Sequence, residues 1–104
     1  GGRPSAYLAY LGHAYASAGR HEDAKKTLDK LYELTKQGIY VGVSGRALIY
    51  AGLGDKENAI LYLQRATDQN DASMIWLRVE PAYDDLRGDS RFQELLRRQG
   101  ISPQ

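Results

Sequence analysis

A motif that occurs twice in this 104-residue chain constrains its fold more than any other feature. Each copy contains a small residue, a tyrosine, a glycine and an alanine in the same relative positions, 35 positions from their counterparts. The first copy has Gly12, Tyr15, Gly19 and Ala24, and the second has Ala47, Tyr50, Gly54 and Ala59. A fixed period of this length is typical of chains built from stacked structural repeats. We therefore expect two similar units that pack side by side.

Each unit has the pattern of two amphipathic helices. Apolar residues recur three and four positions apart, which predicts helices over residues 5–18, 21–36, 43–53 and 56–69. Gly19 is expected to end the first helix as a left-handed cap, and Asp55 to cap the start of the fourth. The residues expected to be buried are Leu8, Leu11, Ala14, Tyr15 and Ala18 in the first helix, Ala24, Thr27, Leu28, Leu31 and Leu34 in the second, Ala47, Leu48, Tyr50 and Ala51 in the third, and Ala59, Ile60, Leu63 and Ala66 in the fourth.

The small residues of the motif indicate where helices approach closely. We expect Gly12 to face Ala24, and Ala47 to face Ala59, because an antiparallel helix pair comes together only where side chains are small. A single pair cannot bury both of its faces, so the two pairs are expected to stack.

The doubled motif resembles the tetratricopeptide repeat. The residues that carry the resemblance are Leu8, Leu11, Gly12, Tyr15, Gly19, Ala24, Leu28 and Leu31 in the first copy, and Val43, Arg46, Ala47, Tyr50, Gly54, Ala59, Leu63 and Ala66 in the second. Leu31 stands where the family has a small residue, and Arg46 where it has leucine. The proline that closes a family repeat is absent from both copies, and the unit is one residue longer than the usual length of about 34.

The segment after residue 70 loses the repeat period but strengthens the resemblance. Its sequence from Trp76 to Arg98 resembles the ending of many bacterial repeat proteins, in which such repeats follow a kinase, winged-helix or cyclase-type domain. Short helices are expected over residues 72–79, 81–86 and 90–99, with Trp76 and Phe92 closing the stack.

The resemblance implies an all-α fold, a right-handed α-α superhelix with a concave groove. Its parts would be a flexible lead-in or tag remnant (1–4), two helical hairpins (5–38 and 39–70), capping helices (71–101) and a tail (102–104). The first residue is not Met, so we expect an excised piece of a longer protein. The resemblance implies a bacterial parent, which we expect to be cytoplasmic.

Composition and residue spacing favour binding over catalysis. The net charge of +1 gives no strong attraction to nucleic acid or to an anionic membrane, and no apolar run approaches the ~20 residues of a membrane span. His13 and His21 lack a third metal ligand at a suitable spacing, and no catalytic set, phosphate loop or cysteine is present. We therefore expect no enzyme activity, metal or cofactor.

The resemblance places a partner-binding groove on the first helix of each pair. Its expected contact residues are Ala9, His13, Ala16, Ser17, Ser44, Leu48 and Ala51, flanked by Ala6 and Gly52. These residues are small and mostly uncharged, which favours an apolar protein strand or helix, or a second copy of the chain, over an acidic peptide. Two structural roles remain as alternatives: the end of a longer solenoid, or a homodimer formed through Tyr7 and Tyr10.

Overall fold

The structure is a computed structural model that describes residues 4–39, 43–69 and 77–99. Its helices are α1 (Pro4–Ser17), α2 (His21–Lys36), α3 (Val43–Gly52), α4 (Lys56–Asp68), a 3-10 helix (Pro81–Leu86) and α5 (Ser90–Arg98). Helices α1 and α2 pack as one hairpin, α3 and α4 as a second, and α1 also packs on α3. The prediction of an all-α fold made of helical hairpins is confirmed.

Local signals set the helix ends where the sequence predicted them. Gly19, Gly38 and Gly54 have φ angles of +81°, +83° and +78°, the left-handed conformation that ends a helix. Asp55 caps α4 because its Oδ1 accepts a hydrogen bond from the backbone N–H of Asn58 at 3.1 Å. These signals act within a few residues, so they specify helix boundaries before any tertiary contact forms.

The core consists of two clusters of buried apolar side chains. The smaller cluster joins the two hairpins, with Ala16, Ala24 and Leu31 from the first and Ile49 from the second. The larger cluster joins α3 and α4 to the C-terminal helices, and its largest fully buried side chains are Ile60, Leu63, Leu77, Leu86, Phe92 and Leu95. The four residues expected to be buried in α4 belong to it.

The buried face of α1 differs from the predicted one. Ala14 and Ala18 are exposed, whereas Ala9, Gly12 and Ala16 are buried. The cause is tertiary, because α3 packs across α1 and covers this other face. Gly12 accordingly faces α3 as well as α2: a Cβ at this position would lie 2.7 Å from Ile49 Cδ1 and 3.0 Å from Thr27 Cγ2. The expected Ala24 is not among its nearest neighbours.

Predicted burial was also partly wrong in α2 and α3. Leu28 and Leu34 are only half-buried. Thr27 is buried, as expected, and donates a hydrogen bond to the carbonyl oxygen of Asp23 at 2.9 Å. In α3 the buried residue that the pattern missed is Ile49, and Tyr50 is half-buried. Thr27 and Ile49 both lie against Gly12 of α1, where a Cβ would be 3.0 Å from Thr27 Cγ2 and 2.7 Å from Ile49 Cδ1, and this contact accounts for their burial.

The C-terminal part keeps more of the repeat than the sequence indicated. Gly88 and Asp89 repeat Gly54 and Asp55 at a spacing of 34 residues, and Asp89 Oδ1 accepts from the backbone N–H of Arg91 at 2.8 Å. The 3-10 helix packs on α3 and α5 packs on α4. The two short helices therefore take the place of a third hairpin.

Other C-terminal predictions have mixed outcomes. Of the expected helix over residues 72–79, the structure describes residues 77–79, which form a turn with Val79 exposed; the rest lies outside the described residues. Trp76 also lies outside them. Phe92 is fully buried, and its ring lies 6.1 Å from that of Tyr83, so one of the two expected anchors is confirmed as a core residue.

Candidate functional site

The contact between α1 and α3 consists of small residues on both helices. A Cβ at Gly45 would lie 3.1 Å from the Cβ of Ala9, and one at Gly52 would lie 2.9 Å from the Cβ of Ala16. The backbones of the two helices therefore approach each other closely, with little side-chain volume between them. Ala9 and Ala16 are left 3% and 4% exposed, so they have little side-chain surface to offer a partner.

His13 links the two helices through a hydrogen bond. Its Nδ1 lies 3.0 Å from the carbonyl oxygen of Leu48, and because a carbonyl oxygen only accepts, Nδ1 carries the proton. Gly52 makes this contact possible, since a Cβ there would lie 2.9 Å from Nδ1. In the neutral ring Nε2 is then an acceptor, and the Ser17 hydroxyl lies at the long distance of 3.5 Å from it. Nε2 is thus a weakly used acceptor on a half-buried side chain.

The structure brings most of the predicted contact residues together, with unequal exposure. Ser17 is exposed, His13 and Ala51 are half-buried, and Leu48 retains 9% of its surface. For Ser44 the structure describes the backbone, within α3, and not the side chain. The accessible members form one uncharged surface along α1 and α3, and their contact with a partner stays a prediction.

Arg46, which departs from the repeat pattern, has a structural explanation. Its Nη2 donates a 2.8 Å hydrogen bond to Thr35 Oγ1 of α2, and its guanidinium lies 5.9 Å from the ring centre of Tyr62 in α4. The Tyr62 ring is stacked on that of Tyr50 at 5.4 Å. Burial raises the pKa of the Tyr50 phenol, and the neighbouring Tyr62 raises it further. Arg46 therefore ties α2, α3 and α4 together, where the family's leucine would only fill space.

A second surface, between α4 and α5, is polar and carries charged pairs. Arg91 donates to both carboxylate oxygens of Glu57, at 3.0 and 2.6 Å, and to Asp89 at 2.9 Å. Arg98 donates to Asp68 at 2.8 Å. The hydrogen bonds from Arg91 lower the pKa of Asp89 to about 2 and also lower the pKa of Glu57. Both arginines are satisfied within the chain, so this surface presents no unpaired positive charge from them.

The described residues contain no cluster of three histidine or acidic side chains that could hold a metal ion. In residues 4–39, 43–69 and 77–99, no helix has the length and apolar character needed to cross a membrane.

Comparison with known proteins supports the relationship suggested by the motif. The tetratricopeptide repeat family model matches residues 6–37 and 45–72, which is more than half of the chain. Comparisons with curated proteins and with solved structures find no significant match. The two matched segments correspond to the two hairpins, α1–α2 and α3–α4. The chain belongs to the tetratricopeptide repeat family.

Proposed function

We propose that this chain is a non-catalytic protein-protein interaction module that binds a protein segment along the α1–α3 surface. Tetratricopeptide repeats generally mediate protein-protein interactions, which supports the class of function. The observation that carries the choice of surface is the Nε2 acceptor of His13, set among uncharged neighbours beside Ser17.

The chemistry of the surface favours an uncharged partner segment. None of the predicted contact residues is acidic, lysine or arginine, so an acidic peptide finds no counter-charge among them. A partner hydroxyl or amide N–H can donate to Nε2 of His13, while apolar side chains cover Leu48 and Ala51. We propose an apolar strand or helix with one hydrogen-bond donor as the ligand.

Selection from a displayed library of random peptides tests this proposal. We expect the selected peptides to be apolar and uncharged, and His13→Ala and Ser17→Arg each to weaken the binding of a selected peptide at least tenfold, as measured by titration calorimetry. Lys30→Glu is the matched control, because Lys30 is an exposed residue of α2 away from this surface. Enrichment of acidic peptides, or equal binding by all three variants, would contradict the proposal.

We further propose that the module belongs to a larger bacterial regulatory protein of the cytoplasm, in which the repeats follow an effector domain. The resemblance of the segment from Trp76 to Arg98 to the ends of such proteins supports this parent. The full open reading frame tests it: an effector domain before the repeats is expected, and a parent made of repeats alone would contradict it.

A structural role at the end of a solenoid is the second candidate, because α5 carries charged residues on its outward face. Its outward residues include Arg91, Glu94, Arg97 and Arg98, and a polar outer face is what the terminal unit of a solenoid needs. In this case the library selection would yield no binder, while replacing Phe92 by alanine would still destabilise the stack.

A further inference from the structure

The outer face of α1 is exposed and carries no charge. Tyr7 and Tyr10 are 68% and 61% exposed, and Ala14, Ser17 and Ala18 on the same face are exposed as well. With 100° between successive helical residues, this face points away from the one that packs on α3. Five uncharged residues in a row on an exposed face are unusual in a chain in which 26% of residues are charged. This α1 outer face therefore differs from an ordinary solvated helix face.

The repeat period identifies what this face corresponds to elsewhere. Tyr10, Ala14 and Ser17 are the counterparts of Gly45, Ile49 and Gly52 in the second unit. In α3 those three counterparts form the face that packs on α1. The α1 outer face is thus the direct continuation of the stacking interface, at the place where another helix would come next.

A helix cannot dock there in the way α1 docks on α3. That contact is close because Gly45 and Gly52 have no side chains: even a Cβ would lie 3.1 and 2.9 Å from its nearest neighbour. Tyr10 puts a whole phenol ring at the position of Gly45, which excludes the same approach. The occupant must have a geometry that makes room for the tyrosines.

The distribution of large and small residues selects such a geometry. The N-terminal half of the face carries Tyr7 and Tyr10, and the C-terminal half carries Ala14, Ser17 and Ala18. When two copies of α1 lie antiparallel, the tyrosines of each copy lie over the small residues of the other. A two-fold axis makes every such contact occur twice, and no charge is desolvated. Tyrosine suits this role because it is large, rigid and amphipathic.

We propose that the chain forms a homodimer through the α1 outer face, with the two α1 helices antiparallel and the two-fold axis between the levels of Leu11 and Ala14. This interface goes beyond the binding of a partner segment along α1 and α3: it leaves His13, Leu48 and Ala51 outside it, and Ser17 lies at the edge that the two surfaces share. His13→Ala therefore tests the binding surface alone. A dimer would present two binding surfaces, which raises avidity for a partner that offers two segments.

Cysteine cross-linking tests the arrangement directly, because the chain has no cysteine of its own. Ala14→Cys lies next to the proposed axis, so mild oxidation is expected to give a covalent dimer. Tyr7→Cys and Ala18→Cys lie about 16 Å apart along the helix, beyond the roughly 7 Å that a disulfide spans. Each is expected to stay monomeric alone and to cross-link when the two are mixed. Tyr32→Cys, on exposed α2, is the matched control and is expected not to cross-link.

Sedimentation equilibrium over a concentration series tests the same interface without cross-links. We expect a reversible dimer, and Ala14→Glu should raise its dissociation constant at least tenfold because it places two like charges near the axis. Its circular dichroism should be unchanged, since Ala14 is exposed. A monomer at every concentration would overturn the proposal and leave this face to another helical unit. Cross-linking of Tyr7→Cys on its own would overturn the antiparallel arrangement.

Discussion

The hairpin formed by α3 and α4 is held on its two sides by different kinds of contact. Towards α1, the contact rests on Gly12, Gly45 and Gly52, which let backbones approach closely around Ile49. Towards the C-terminal helices, it rests on large buried side chains such as Phe92, surrounded by ion pairs. The first contact depends on the absence of side chains, and the second on their volume.

This difference separates two kinds of interface in one small repeat domain. A contact made of glycine and alanine fixes the distance between helices at a short value and lets two hairpins stack closely. A contact made of aromatic and aliphatic side chains is filled by their volume and has a charged rim. The first kind joins two similar hairpins, and the second joins a hairpin to two short helices.

The largest expected effect tests the second contact. Phe92→Ala removes a fully buried ring from the larger cluster and should lower the free energy of unfolding by about 3–5 kcal/mol. That is a large part of the about 5–15 kcal/mol typical of a domain. Denaturation in urea measures it.

Val79→Ala is the control, because Val79 is 61% exposed in the same part of the chain and should change stability by less than about 0.5 kcal/mol. A loss below about 1 kcal/mol for Phe92→Ala would mean that the C-terminal helices do not close the stack.

The next largest effect tests the contact between α1 and α3. Here the change adds a methyl group instead of removing a side chain. In Gly12→Ala the new Cβ would lie 2.7 Å from Ile49 Cδ1, and we expect a net loss of about 1–2 kcal/mol, because overpacking outweighs the gain in helix propensity. Ile49→Val removes Cδ1 but keeps Cγ1, which the new Cβ would meet at 2.8 Å, so it relieves part of the clash and should cost less in the Gly12→Ala background than alone.

Gly88→Ala is the matched control, since nothing lies within 4 Å of a Cβ at that position. Urea midpoints of Gly12→Ala, Ile49→Val and the double variant give the coupling between positions 12 and 49, and that of Gly88→Ala gives the control. Equal and neutral effects at Gly12 and Gly88 would show that the α1–α3 approach tolerates side chains, and the distinction between the two contacts would fail.

The sequence predicted the helices well because their signals are local. Gly19 and Gly54 end helices and Asp55 begins one through atoms only a few residues away. The buried face of α1 was not predictable in the same way, because Ala9 and Ala14 are chemically identical and only the position of α3 distinguishes them. The second Gly-Asp pair, Gly88-Asp89, follows Gly54-Asp55 by 34 residues and was a usable signal for a third unit, which the loss of the tyrosine and alanine positions obscured.

The contact of the candidate site with a partner stays a prediction, and only the placement of its residues can be compared with the sequence. The repeat spacing pointed to His13 and Ser17, which lie together on α1. The hydrogen bond from His13 to Leu48 has no sequence signal, because its acceptor is a backbone carbonyl that every residue has. Gly52 is the nearest indication of it, since a side chain there would block the imidazole.

A smaller effect on stability is expected at the helix N-termini, because α4 has a capping side chain and α2 has none. Asp55→Ala should lower the free energy of unfolding by about 1 kcal/mol, because the backbone N–H of Asn58 loses its acceptor. Arg20, at the same position before α2, makes no capping hydrogen bond and contacts Asp23 in an exposed ion pair. Arg20→Ala should therefore cost less than Asp55→Ala, at most a few tenths of a kcal/mol. Thermal unfolding measures both, and equal losses would argue against capping as the cause.

The smallest expected effect concerns the ion pairs at the rim of the second contact. Arg91 lowers the pKa of Asp89 to about 2, below its value in an unfolded chain of about 3.9. A carboxylate whose pKa is depressed by folding stabilises the folded state above the unfolded pKa, and this stabilisation is lost as pH falls from about 4 to about 2. Arg91→Gln removes the ion pairs to Asp89 and Glu57, so the variant should gain less from raising the pH through this range than the wild type. Arg97→Gln is the control on the same helix, because Arg97 pairs only with exposed Glu94 among the described ion pairs. Melting temperatures between pH 2 and pH 6 make the comparison. Parallel curves for the wild type and Arg91→Gln would show that the low pKa of Asp89 comes from the backbone hydrogen bond of the cap rather than from the side chain of Arg91.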